Sequence, residues 1–82
     1  MINASFLIIG GTGTVGSYLV KKLSEEGVKN IIVFSRNEYM QYLLNLKYPN
    51  AKYIIGDIFN YDRINEAMQN VDYVIHTAAM KH

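Results

Sequence analysis

The stretch Leu7-Ile8-Ile9-Gly10-Gly11-Thr12-Gly13-Thr14-Val15-Gly16 carries the most specific chemical signal in the chain. An apolar run stops at a glycine pair, and Gly13 and Gly16 follow at intervals of three. A strand that feeds a helix through a tight turn aims several uncommitted backbone N–H groups at one point, and the helix dipole adds positive potential there. Glycine at Gly10 lets the chain turn. At Gly13 it lets a pyrophosphate reach the backbone, and at Gly16 it lets the helix lie close to the strand. Thr12 and Thr14 offer hydroxyl donors, and Val15 opens the helix. Gly10, Thr12, Gly13, Thr14, Val15 and Gly16 are therefore the candidate phosphate cradle. A glycine triplet alone also fits a purely structural turn; a strand before it and a helix after it favour the cradle.

The elements that must position this loop are legible as an alternation. Apolar runs at 6–9, 31–34, 53–55 and 71–76 read as strands. Between the first two, Val15, Leu19 and Leu23 recur at helical spacing, and Gly27 closes that helix as a left-handed residue. Asn37 caps a second helix over about 38–46, which Pro49 stops. Asn60 or Asp62 caps a third, with Ile64, Ala67 and Met68 on its inner face. Strands that are continuously apolar, not alternating, are buried on both sides. The pattern predicts an α/β fold: a doubly wound parallel sheet, four strands in order 3-2-1-4, with three helices.

The end of the second strand discriminates between dinucleotides. A carboxylate there would hold the ribose 2′-hydroxyl of NAD. The chain has Ser35-Arg36-Asn37 instead. A hydroxyl and a guanidinium would hold a 2′-phosphate that a carboxylate would repel, so NADP is expected over NAD. The alternatives are a merely solvated Arg36, and a Glu38 that reaches the ribose.

The wide glycine spacing resembles the short-chain dehydrogenase/reductase superfamily, in particular its extended, sugar-nucleotide branch. With Ser35-Arg36-Asn37-Glu38, Gly56-Asp57-Ile58 and the Ala78-Ala79-x-Lys81-His82 ending, the chain resembles the CapD-like polysaccharide-biosynthesis proteins, the UDP-N-acetylglucosamine 4,6-dehydratase group. The resemblance implies a Rossmann-type domain in which Asp57 accepts a hydrogen bond from the adenine amino group and the Ile58 backbone reads the ring. It also implies that Ala78 and Ala79 let the cofactor lie against the backbone, with Lys81 in the same site. A turn or capping aspartate is the alternative at Asp57, and His76 reads as a packed strand residue. The family pattern Ser-Arg-Asp-Glu-x-Lys is altered: Asn37 replaces its aspartate and Met40 its lysine, which weakens the hold on a 2′-phosphate. Ile9 stands where a threonine often precedes the glycines.

The resemblance implies a parent enzyme that oxidises a nucleotide sugar at C4 by hydride transfer to NADP. It then eliminates water across C5 and C6 and returns the hydride to C6. That chemistry needs a Tyr-x-x-x-Lys pair on a helix. Tyr48 and Lys52 have the spacing, but Pro49 lies between them and breaks a helix. Tyr18 and Lys22 also have it, on the helix that follows the glycine loop, away from the substrate side. No catalytic residue is assigned. Residues 1–82 are expected to be the truncated N-terminal part of an NAD(P)-binding domain, catalytically incomplete alone. An epimerase, a non-catalytic NADP-sensing domain and a purely structural module are the competing readings.

Composition narrows the partners. The chain has 82 residues, enough for one small domain. It has no cysteine, hence no disulfide or thiolate metal site, and no metal site is expected. Its net charge is +1 and its lysines are scattered, which argues against nucleic-acid binding. No apolar run approaches membrane-spanning length and no leader pattern is visible, so a cytoplasmic location is expected. The fourth strand, taken as 72–76, has an open edge, so a homo-oligomer or edge-strand association is expected.

Overall fold

A computed structural model of the chain describes residues 2–10 and 12–77. The elements follow in the order β1 (Ile2–Ile9), α1 (Thr14–Glu25), β2 (Val28–Ser35), α2 (Glu38–Lys47), β3 (Lys52–Ile55), α3 (Tyr61–Met68) and β4 (Tyr73–His76). All strand pairs are parallel, and the sheet order is β3-β2-β1-β4, as the alternation predicted. The register runs Phe6 to Ile31 and to Tyr73, and Ile9 to Phe34 and to His76. The carboxyl ends of β1, β2 and β4 therefore finish level, where ligands bind in such sheets.

Successive residues of a strand point to opposite faces, so the sheet sorts its apolar residues into two cores. On one face Ile8, Ile31 and Val33 meet Val20 of α1 and Leu44 of α2. On the other, Leu7, Ile9 and Phe34 meet Ala67 of α3, with Ile64, Ile58 and Val71 packed alongside. The sheet is thus wound on both sides. Burying five fully enclosed side chains, Phe34, Leu7, Ile8, Val20 and Val33, supplies roughly 1.5–3 kcal/mol each before chain entropy is counted.

Several local readings need correction. β1 and β2 start earlier than their apolar runs, at Ile2 and Val28, because parallel pairing of Ile2 with Val28 recruits polar residues into the ladder. β4 starts later, at Tyr73. Asp72 instead clamps Ser5, accepting from its N–H through Oδ2 at 2.7 Å and donating its own N–H to the Ser5 carbonyl at 3.0 Å. Asn60, not Asp62, caps α3, its Oδ1 accepting the Arg63 N–H at 3.2 Å. Met68 is 42% exposed, not on the inner face, and Val15, which keeps the helical spacing of Leu19 and Leu23, is 45% exposed. Met68 ends its helix, and Val15 sits above the sheet's end, where no strand remains to cover it. His76 is exposed, because β4 lies at the sheet's edge.

Candidate functional site

The turn after β1 is held from both sides. Gly10 adopts φ 83°, a left-handed conformation that favours glycine, and donates its N–H to the Phe34 carbonyl at 2.7 Å. The Gly13 N–H returns to the Gly10 carbonyl at 3.2 Å, and α1 begins. From the far side, the buried Thr77 hydroxyl bonds to the carbonyls of Ile9 and Gly10, at 2.8 and 3.0 Å. Only one proton is available, so the two carbonyls share it.

Gly13 is glycine for a different reason. Its φ of −74° suits any residue. Among the described residues, a Cβ built there would meet only the Gly10 carbonyl oxygen, at 3.6 Å, an ordinary contact. Protein packing leaves room for a side chain that the sequence omits, and the vacant space opens on the helix N-terminus. That terminus also lacks the usual fillers. Asn37 and Asn60 cap α2 and α3 through their side chains, and Glu38 and Asp62 lie in the first turns. α1 has neither a side-chain cap nor an acidic residue in its first turn. Its leading N–H groups and dipole are therefore available to an external anion. Gly16 is buried within α1.

A cleft of about 840 Å³ lies over these carboxyl ends. Gly10, Thr12, Gly13, Thr14, Val15, Ser35, Arg36, Asn37 and Ile58 all line it, with Met40 and Thr77. Asn37 has already spent its side-chain oxygen on the α2 cap, accepting the Met40 N–H at 3.0 Å. Arg36 is 77% exposed in its side chain and lies 3.4 Å from Asp57 Oδ2. Asp57 Oδ1 accepts the Phe59 N–H at 2.8 Å. That backbone donor is the largest cause holding the Asp57 carboxyl below its usual range; desolvation opposes it, and the Arg36 guanidinium adds smaller lowering effects. Arg36 and Asp57, called separately from the sequence, thus form one pair at the cleft's rim. Ala78, Ala79 and Lys81 lie outside the described residues.

Two residues of this corner escaped the sequence reading. Thr77 gave no signal beyond a polar residue after an apolar run. Gln41 is 4% exposed and donates to Ser35 and Ile54; a glutamine on the inward side of a helix was the available clue. The Tyr48/Lys52 spacing is no catalytic pair, since Tyr48 caps the end of α2 and Lys52 opens β3. A second cleft of about 720 Å³, lined by Tyr48, Pro49 and Ala51 among others, lies at the opposite, amino end of the sheet. It has none of the cradle's features.

Residues 6–82 match the family described as polysaccharide biosynthesis protein. The chain belongs to that family. It is 43% identical over 81 residues to the UDP-N-acetylglucosamine 4,6-dehydratase (inverting) of Campylobacter jejuni, covering 95% of this chain and 24% of the relative. It is 40% identical over 86 residues to the UDP-glucose 4-epimerase of Rickettsia conorii, covering 98% and 25%. Among solved structures, Pen from Bacillus thuringiensis superposes with a TM-score of 0.87 at 50% identity, covering 98% of this chain and 26% of Pen. WbmF from Bordetella bronchiseptica, solved with NAD+ and UDP, gives 0.73 at 31% identity, covering 90% and 22%. The chain therefore spans about a quarter of the length of these relatives. The kinship with the extended short-chain dehydrogenases/reductases and the Rossmann-type fold both stand. Among the described residues no helix is long and apolar enough to cross a membrane.

Proposed function

We propose that this chain is the NADP-binding N-terminal part of a nucleotide-sugar 4,6-dehydratase of the UDP-N-acetylglucosamine type, acting in polysaccharide or glycan synthesis. The observation that carries the reading is the uncapped N-terminus of α1, with the unfilled space at Gly13, opening into the cleft beside Ser35 and Arg36. In this reading the N–H groups of 14–16 hold the pyrophosphate, which lies over the bare Cα of Gly13, with Thr12 and Thr14 as hydroxyl donors. Ser35 and Arg36 hold a 2′-phosphate, and Asn37 orders that corner through its cap. Asp57 accepts from the adenine amino group and Ile58 lies against the ring. Ala78, Ala79 and Lys81 continue the site. Bound NADP supplies the acceptor and donor of hydride; this chain's residues bind and orient it, and the acid–base groups for the sugar belong to sequence beyond these residues.

The epimerase is the second reading, because 40% identity to an epimerase barely differs from 43% to a dehydratase. Both relatives' names carry a UDP-sugar, so a nucleotide-sugar substrate is common to both readings. Among the described residues β4 is an edge strand, which supports self-association, and none of the helices is long and apolar enough to span a membrane, which is compatible with a cytoplasmic enzyme.

Calorimetric titration with NADP and with NAD tests the cofactor assignment. NADP binds more tightly, and Arg36→Ala weakens NADP binding about tenfold or more while leaving NAD within about threefold, the effect of losing a hydrogen bond to a charged group. Equal affinity for the two, or an unchanged preference in Arg36→Ala, contradicts it.

A further inference from the structure

Gln41 lies under the corner where the 2′-phosphate would sit. Its amide nitrogen is 2.8 Å from the Ile54 carbonyl oxygen, 2.8 Å from Ser35 Oγ and 3.3 Å from the Ser35 carbonyl oxygen. Carbonyl oxygens only accept, so the amino side of the amide must face this corner. One N–H is directed at Ile54. The other goes to Ser35 Oγ, with the longer Ser35 carbonyl contact as a shared branch. The Ser35 hydroxyl oxygen is therefore an acceptor on its inner side. Its single O–H proton needs a partner elsewhere, and among the described residues none receives it. Ser35 is 5% exposed, yet it lines the cleft beside Arg36.

We propose that Gln41 is a positioning residue that fixes the polarity of the Ser35 hydroxyl, so that its proton is presented to the cleft and selects an acceptor-only anion, the nucleotide 2′-phosphate. This rests on the NADP reading and extends it to a residue that does not touch the ligand. The geometry gives it a direction. Bonds from a hydroxyl to an anionic oxygen are shorter and roughly twice as strong as those to a neutral one. A hydroxyl that already accepts one bond from within and has its proton uncommitted gains more from a phosphate than from a ribose hydroxyl. Without the Gln41 donor nothing directs the Ser35 proton outward, and the cleft loses an oriented donor while Arg36 stays in place.

The test uses two ligands that differ only at the 2′ position, adenosine 2′,5′-bisphosphate and adenosine 5′-monophosphate. Ser35→Ala lowers the preference for the bisphosphate roughly tenfold, and near-isosteric Gln41→Met lowers it by a similar factor. The double variant loses no more than Ser35→Ala alone, because Gln41 acts through Ser35. A structural tie between β2 and β3 would instead weaken both ligands equally, or its loss would multiply with that of Ser35→Ala; either result overturns the proposal. Should Gln41→Met fail to fold, Ser35→Ala still decides, since an unchanged preference in that variant overturns the proposal by itself. A wild-type protein that binds both ligands equally overturns the NADP reading and this assignment together, whereas wild-type preference retained in folded Gln41→Met overturns this assignment alone.

Discussion

At the scale of single residues, the two glycines of the loop do different work. Gly10 is required by its own backbone, at φ 83°. Among the described residues nothing requires glycine at position 13, since a Cβ there finds an ordinary 3.6 Å neighbour. The account therefore predicts that Gly13→Ala changes stability by less than about 1 kcal/mol, the scale of an altered helix cap, while weakening dinucleotide binding at least tenfold. Thermal melts and titrations of one preparation check it; full affinity in the variant would make the loop a turn and nothing more. Asp57 gives a second residue-level test. Its carboxyl is held below the usual range first by the Phe59 N–H and then by Arg36. A lowered folded-state value means that this contribution is present above the unfolded carboxylate range and fades as pH falls through the folded value. In NMR titrations Arg36→Ala moves the Asp57 midpoint upward, though not fully to normal, since the backbone donor remains. The glycines were legible from spacing and flanking strands. Gln41 and Thr77 were not, because their role depends on which carbonyls lie opposite, and that is fixed only by the assembled sheet.

At the scale of elements, β3 is the strand whose packing the sequence revealed least. Gly56 reads as a strand terminator. A Cβ there would fall 2.5 Å from Phe34 Cζ and 2.8 Å from Cε2. Phe34 is fully enclosed, so its ring has nowhere to go. Gly56→Ala is expected to cost about 1–3 kcal/mol by overpacking, and Phe34→Leu in the same chain should recover part of it. An unchanged melting temperature in Gly56→Ala would show that the ring has freedom the packing denies. β3 is also tied to the end of α2, where the Tyr53 hydroxyl donates to the Tyr48 carbonyl at 2.8 Å. Burial, and secondarily Tyr48, push the Tyr53 phenol from its ordinary 10.0 up to about 12. A raised folded-state value stabilises the fold fully below the unfolded value and is lost as pH rises from 10.0 toward 12. Denaturant melts from about a pH unit below the ordinary tyrosine value up to the raised value of about 12 should show a shallower alkaline loss in Tyr53→Phe, which starts about 1 kcal/mol lower for want of its hydrogen bond. Parallel alkaline curves for the two proteins would remove Tyr53 from the account. The helix periods were legible, but their phase at the ends was not. Val15 and Met68 keep the spacing of an inner face and still escape burial, because the sheet ends before they do.

At the scale of the whole molecule, the sheet order was legible because the four apolar runs alternate with helical segments and connection rules leave few topologies. The starts of β1 and β2 were not, since polar Ser5 and Asn30 pair in the ladder through the backbone alone, and the register shifts between Ile2 and Ser5. Among the described residues β3 and β4 form the sheet's edges, and Tyr73 and Val74 of β4 are 56% and 42% exposed. An unpaired edge beside apolar side chains recruits another strand. The chain is expected to self-associate with rising concentration, and Val74→Lys should raise the concentration at which it does so. Sedimentation that is monomeric throughout, for wild type and variant alike, would show that the edge is protected.

The central claim is that the α1 N-terminus is an anion cradle, and amide shifts in a 15N-labelled chain titrated with NADP test it most directly. The account predicts the largest shifts at Gly13, Thr14 and Gly16, with a second group at Ser35 and Arg36 on the facing wall. Shifts centred instead on Tyr48 and Ala51, in the cleft at the other end of the sheet, or no shifts in a chain with dispersed, folded resonances, would contradict it.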